Sequence, residues 1–276
     1  MASVRELLAL AAGLDSDSAA LDAEVLLCHC LDKPRSWLFT WPERELAPGA
    51  EQQFRELMIR RAAGEPVAHL TGQRGFWSLD LEVSADTLIP RPDTETLIIW
   101  ALELPLPSAA RVVDLGTGSG AIACALAAER PNWSMTATDA SAAALQVARR
   151  NSERHCAGRL RLRQGSWFEP LGSTSYDLIV CNPPYIAASD PHLQQGDVRF
   201  EPDSALVSGD DGLDALRHIA ATSGSHLCAG GYLLLEHGYQ QGAAVRELLV
   251  EAGFDQVATR CDLAGQERIS GGCKDA

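Results

Sequence analysis

Residues 111–120 read RVVDLGTGSG, a short β-branched run, an aspartate, and a five-residue loop with glycine at 116, 118 and 120. A strand that feeds such a loop and then a helix, here AIACALAAE from residue 121, is the opening unit of a nucleotide-binding α/β sheet. Glycine is needed where backbone turns tightly beneath a closely approaching ligand. The spacing of Gly116, Gly118 and Ala121 also satisfies the dinucleotide fingerprint, so the loop by itself leaves a nicotinamide cofactor and an adenosyl one both open.

Outward from this loop, short apolar runs alternate with helical ones. SMTATD (134–139), RLRLRQ (159–164), YDLIVC (176–181) and GYLLLE (231–236) read as strands. AAALQVARRN (142–151), DALRHIAATS (214–223) and AVRELLVEAG (244–253) read as helices between and after them. The alternation predicts a Rossmann-like, doubly wound, mostly parallel sheet, which binds ligands at the carboxyl ends of its strands. The front of the chain differs. VRELLALAA, AALDAEVLLCHCL and EQQFRELMIRRAAG repeat apolar residues at helical spacing, as at Phe54, Leu57 and Met58, and predict a small all-α domain. The expected organisation is a helical domain over 1–66, a β-hairpin linker over 67–90 carrying FWSLDLEVS, and the α/β domain over 91–276. Asp93 or Thr94 is expected to cap the helix through ETLIIWALEL.

Composition narrows the class. The 276 residues are 46% hydrophobic, with no run of membrane-spanning length, and Arg5 and Glu6 interrupt what would be the apolar part of a signal peptide. A cytoplasmic protein with no membrane partner is expected. The eight cysteines form no C-x-x-C pair, which predicts free thiols and no metal. A formal charge of −14 repels phosphate, so no direct nucleic-acid partner is expected, and the run Arg55, Arg60, Arg61 reads as a solvated helix face.

Two carboxylates and a tetrad carry the chemistry. Asp139 ends the second strand about 20 residues past the loop, where a carboxylate can accept both ribose hydroxyl protons or cap the next helix. Asp114 precedes the loop; it would repel a pyrophosphate and suits a cationic amino-acid group, or it caps loop amides. YDLIVC ends in Asn182-Pro183-Pro184-Tyr185. The prolines fix the backbone, so the Asn182 side-chain oxygen and the Pro183 carbonyl can each accept an N–H from an amide or exocyclic amine. That orients a delocalised, weakly nucleophilic nitrogen without a strong base. Tyr185 offers a face for a planar acceptor near a cationic methyl donor.

DLGTGSG, Thr138-Asp139 and NPPY together resemble the class I S-adenosylmethionine-dependent methyltransferases that modify amino nitrogens. LIPRPDTE, GSWFEP, CNPPYI, DVRFEP, DGLDALRHI, GGYLLLEHGYQQG, DLAGQERI and HLTGQRGFWSL resemble the HemK/PrmC family, the bacterial release-factor glutamine N5-methyltransferases. The likeness covers nearly the whole chain. It implies a methyltransferase using S-adenosyl-L-methionine, with the glutamine of the Gly-Gly-Gln loop of class I peptide chain release factors as substrate. It implies cofactor contacts from Gly116, Thr117, Gly118, Ser119, Gly120, Asp139, Trp167 and Asn182. Ser166, where many relatives carry an acid, is assigned with Trp167 to the adenine end, and Asp114 to the cofactor's cationic end. Asn182, Pro183, Pro184 and Tyr185 are expected to hold the glutamine, with Asn182, Pro183 and Tyr185 catalytic. A ribosomal-protein glutamine methyltransferase shares this chemistry. A nucleic-acid adenine N6-methyltransferase does too, but needs a basic groove. The helical front domain, lacking convergent polar groups, is expected to recognise the protein substrate.

Overall fold

The computed structural model describes residues 1–275 and divides into two compact units, residues 1–73 with 195–200, and residues 74–194 with 201–276. The first unit is helical: α1 (Val4–Leu8), α2 (Ala19–Leu31), α3 (Arg35–Thr40), α4 (Pro48–Ala62) and α5 (Val67–Thr71). Ser3 opens α1 with a capping box, its hydroxyl accepting from Glu6 N while Glu6 reaches back to Ser3 N at 2.8 Å. Leu7, Leu26, Leu27, Leu38 and Phe54 fill its core. The basic run is neutralised within the unit: Arg55 pairs with Glu51, Arg60 with Glu65, and Arg61 with Asp22 at 2.8 Å.

The second unit begins with a two-stranded hairpin, β1 (Gln73–Phe76, whose first residue still belongs to the helical unit) and β2 (Leu79–Glu82). Then follow α6 (Glu95–Glu103), β3 (Arg111–Leu115), α7 (Ala121–Glu129), β4 (Ser134–Asp139), α8 (Ala142–Cys156), β5 (Arg161–Gln164), β6 (Tyr176–Cys181), α9 (Asp214–Ser223), β7 (Leu227–Glu236), α10 (Gly242–Glu251), β8 (Phe254–Cys261) and β9 (Glu267–Lys274). Seven strands form one sheet in the order β5-β4-β3-β6-β7-β9-β8. The first five are parallel; β9 runs antiparallel to both β7 and β8. The predicted α/β class and mostly parallel sheet are therefore present, whereas the closing pair β8 and β9 lies beyond the strands read from the sequence.

Side chains alternate across the sheet with the two-residue period of a strand. Val112, Leu178, Val180 and Leu234 pack on one face with α6 and α7. Val113, Ile179, Cys181, Leu233 and Leu235 pack on the other with residues of α9 and α10. Burial on both faces is why these strands read as continuous apolar runs. The hairpin is fastened to α8: Asn151 Oδ1 accepts from Glu82 N at 2.8 Å, and its amide donates to Glu82 O at 2.9 Å. No helix among the described residues is long and apolar enough to cross a membrane.

The strand order reverses between β3 and β6. Leu115 is in register with Cys181, so the glycine loop and the NPPY tetrad leave the sheet side by side.

Candidate active site

At this switch point lies a cavity of about 220 Å³. Its wall includes Gly116, Thr117, Gly118, Ser119, Asp139, Ser166, Trp167, Asn182 and Pro184, which brings nine of the residues singled out in the sequence to one place. Asp114, Gly120, Pro183 and Tyr185 are not among the residues that line the cavity.

Each part of the wall has a local cause. Gly116 sits at φ +66°, and a Cβ there would come within 3.2 Å of the Trp167 ring. Trp167 is itself held at φ +45°, with its carbonyl accepting from the Thr138 hydroxyl at 3.1 Å. Asp139 joins two elements: Oδ2 accepts from Gly118 N and Oδ1 from Ser141 N, each at 2.8 Å. The cap of α8 is Ser141, whose hydroxyl accepts from Ala144 N at 3.1 Å. A carboxylate has about four acceptor sites, so Asp139 keeps capacity for a ligand at the cavity wall.

Asp114 is wholly buried, with Oδ2 accepting from the Thr117 hydroxyl at 2.6 Å and Oδ1 without a partner. Burial pushes its carboxyl up to about 7, against the Thr117 hydroxyl and the Ala123 amide, while the Asp139 charge adds to the rise. The folded state then holds this proton more tightly than the unfolded chain between pH 3.8 and 7, so stability falls as pH rises through that window. Asp114→Asn is therefore expected to be more stable than the parent at pH 8, by on the order of a few kcal/mol, with the gap shrinking toward pH 4. Melting temperatures of both proteins across this range test it; a gap independent of pH refutes it.

Asn182 directly follows β6, with its amide Nδ2 donating to Thr94 Oγ1 at 3.3 Å, while Oδ1 is buried and has no partner. The site thus contains a desolvated acceptor that the protein leaves unsatisfied, an arrangement that costs free energy unless a ligand donates to it.

Residues 4–72 match the family model described as the PrmC N-terminal domain, and residues 93–197 match the methyltransferase small domain. A release factor glutamine methyltransferase of Xylella fastidiosa (strain Temecula1) is 54% identical over 266 residues, covering 96% of this chain and 97% of that protein. The chain belongs to the release factor glutamine methyltransferase family. A family member from Pseudomonas aeruginosa is 53% identical over 256 residues, with 93% of each chain covered. Among solved structures, a methyltransferase from Pyrococcus furiosus is similar at TM-score 0.56 and 18% identity, over 80% of this chain and 98% of that one, a likeness of fold.

Several residues of this family member surround the site although the sequence did not mark them as site residues. Asp86, Thr87, Leu88, Pro90, Arg91 and Thr94 line the cavity from the stretch before α6. Neither Asp93 nor Thr94 caps α6 through its side chain. Asp93 instead meets Arg268 at 3.3 Å, and Thr94 is engaged by Asn182. Glu201 ties this stretch to the opposite rim, accepting from Ile89 N at 2.8 Å and pairing with Arg91 at 2.5 Å, next to Pro202, Ser204 and Ala205 of the wall. Gln241 fixes the tetrad from behind, donating to Tyr185 O at 3.1 Å. Gly212 stands so close that a Cβ there would lie 2.3 Å from the same carbonyl. The Tyr185 phenol points away from solvent and donates to Glu236 Oε1 at 3.3 Å. The strings LIPRPDTE, DVRFEP, DGLDALRHI and GGYLLLEHGYQQG contain Arg91 and Thr94, Glu201, Gly212, and Glu236 and Gln241, but nothing local in them distinguishes a site residue from a packing one.

Proposed function

We propose that this protein transfers a methyl group from S-adenosyl-L-methionine to the side-chain N5 of the glutamine in the Gly-Gly-Gln loop of class I peptide chain release factors. The observation that carries this reading is the buried, unpaired Oδ1 of Asn182 in a cavity it shares with Asp139 and the glycine loop. Gly116, Thr117, Gly118, Ser119 and Gly120 would form the cofactor's cradle, Asp139 would accept from its ribose, Ser166 and Trp167 would flank the adenine, and Asp114 would act on its cationic end. The cofactor supplies a methyl group carried on a sulfonium. Asn182 Oδ1 and the Pro183 carbonyl each accept an N–H of the substrate amide, aiming its nitrogen at that methyl. Transfer would form the N–C bond and break the S–C bond, leaving S-adenosyl-L-homocysteine, and the N–H proton made acidic by the new bond would pass to solvent, so orientation and acceptor dipoles would carry the catalysis. Pro184 and Tyr185 shape the glutamine's surroundings. No metal enters this scheme.

Release factors work on the ribosome, so the reading places the protein in the cytoplasm. The charge of −14 and the internally paired basic run support a protein substrate rather than nucleic acid. Mass spectrometry of a purified release factor after incubation with enzyme and cofactor decides the matter. Methyl is expected on the Gly-Gly-Gln glutamine; an unmodified factor, or methyl appearing on a ribosomal protein instead, rejects the assignment.

Substrate recognition is assigned to residues 1–66 of the helical unit, with 67–90, which includes α5 of that unit, as linker and 91–276 as the methyltransferase domain. A glutamine side chain is too small and too common to define a target. The unit exposes two aromatics, Phe39 at 62% and Trp41 at 55%, and exposed aromatic anchors are the residues that protein interfaces use most. Replacing both with alanine is expected to raise KM for the intact release factor about 10-fold, equivalent to ~1.4 kcal/mol, while leaving cofactor affinity unchanged. Steady-state kinetics with the whole factor tests this; an unaltered KM removes the assignment of these two residues.

A further inference from the structure

Behind the cavity lies a carboxyl that this scheme leaves without a task. Glu236 is the last residue of β7, carried inward by Leu233, Leu234 and Leu235, and is 1% exposed. A carboxyl so buried is costly unless it is hydrogen-bonded or paired. The Tyr185 phenol donates to Oε1 at 3.3 Å. Oε2 makes no hydrogen bond, and the buried hydroxyl of Thr94 is the neighbouring donor that favours the carboxyl's charged form. Thr94 is the same residue whose Oγ1 accepts from Asn182 Nδ2 at 3.3 Å.

A hydroxyl has one proton. If that proton goes to the carboxyl, Thr94 can offer Asn182 only lone pairs. The carboxamide must then place its NH2 against Thr94 and keep its oxygen as the free end. The reversed carboxamide would set oxygen against oxygen.

We propose that Glu236 is a positioning residue for methyl transfer: acting through Thr94, it fixes which end of the Asn182 carboxamide is left for the substrate amide. The inference rests on the methyl-transfer reading above and deepens it. A carboxylate suits the task because it accepts at both oxygens and donates at neither. A glutamine of the same shape donates at one end, and a donor facing Thr94 turns the Thr94 proton toward Asn182 and favours the reversed carboxamide.

The charged groups around Glu236 come from three elements. Arg268 of β9, itself held by Asp262 at 3.0 Å and by Asp93 at 3.3 Å, favours the carboxylate. Asp93, preceding α6, disfavours it, and the Tyr185 phenol that follows β6 supports it by its hydrogen bond. Burial outweighs the favourable groups and lifts the carboxyl to about 7. A protonated Glu236 is a donor, so the relay holds on the alkaline side of that titration and reverses on the acidic side.

The test uses full-length Glu236→Gln, Thr94→Val and Thr94→Ser proteins with S-adenosyl-L-methionine and an intact release factor. Glu236→Gln is expected to lower kcat at least about 10-fold, in the range of a lost orienting interaction, while cofactor Kd and release-factor KM stay near parental values. Thr94→Val should match it, Thr94→Ser should retain most activity, and the Glu236→Gln/Thr94→Val double variant should be no worse than either single one, as expected for one linked unit. The acidic limb of the parental kcat profile near neutral pH should vanish in Glu236→Gln. Parental kcat and pH profile in Glu236→Gln, or Thr94→Ser as inactive as Thr94→Val, overturns the inference. If Glu236→Gln does not fold, the two Thr94 variants decide it. A parental enzyme that leaves the glutamine unmodified overturns the methyl-transfer reading itself, an outcome distinct from a working enzyme indifferent to Glu236.

Discussion

Asn182→Ala is expected to lower turnover by on the order of 10²-fold or more at saturating release factor, with cofactor affinity held within a few-fold. The magnitude follows from what the side chain does. Its Oδ1 is buried and unpaired, so a substrate N–H that meets it finds a preorganised acceptor, and no water needs to reorganise as charge develops. Alanine removes that acceptor and also releases the Thr94 hydroxyl, its bonding partner at 3.3 Å. The effect therefore belongs to kcat rather than to cofactor binding, although Asn182 lines the shared cavity and a small loss of affinity is compatible with that position. Single-turnover kinetics beside calorimetry separates the two. A variant with near-parental turnover would remove the tetrad from the mechanism.

The second large effect is expected at Asp139. Asp139→Ala should weaken S-adenosyl-L-methionine binding by about 1–3 kcal/mol, the range for hydrogen bonds to a charged group. In the folded protein the same carboxylate accepts from Gly118 N and Ser141 N, so its removal would delete the proposed ribose contact and one tie between the glycine loop and β4, while Thr117 N still donates to Thr138 O at 2.9 Å. The α8 cap is independent, because Ser141 supplies it, and the fold is expected to persist. Calorimetric titration gives the affinity and circular dichroism the fold. Unchanged affinity would sink the ribose assignment; a collapsed fold would show that the carboxylate serves the loop alone.

Much of this architecture was legible in the sequence because it depends on local pattern. Strands buried on both faces, such as Tyr176–Cys181, are uninterrupted apolar runs, and loops that approach a ligand need glycine. The closing strands were not legible for the converse reason. β8 reads FDQVATRC, half polar and exposed at the sheet edge, and β9 carries Gly271 and Gly272, which resemble a turn until the close packing of Leu233 O and Phe254 explains them. Thr94 illustrates a different limit. Beside Glu95 and an apolar run it has the signature of a helix cap, yet its hydroxyl is used by Asn182, 88 residues away in sequence. Glu236 and Arg268 lie still farther along the chain and meet the site only through the order in which the strands assemble.

On the proposed reading, the unpaired oxygen of Asn182 would also make the pocket a sensor of chemical ageing. Glutamine amides hydrolyse slowly to glutamate, and the two side chains are nearly the same size. A glutamate carboxylate would bring lone pairs and negative charge against Oδ1 and the Pro183 carbonyl, where an amide brings protons, and a desolvated acceptor facing another acceptor is strongly disfavoured. On the proposed reading, a release factor whose glutamine has decayed would be left unmarked, and the methyl group would certify that the residue is still intact.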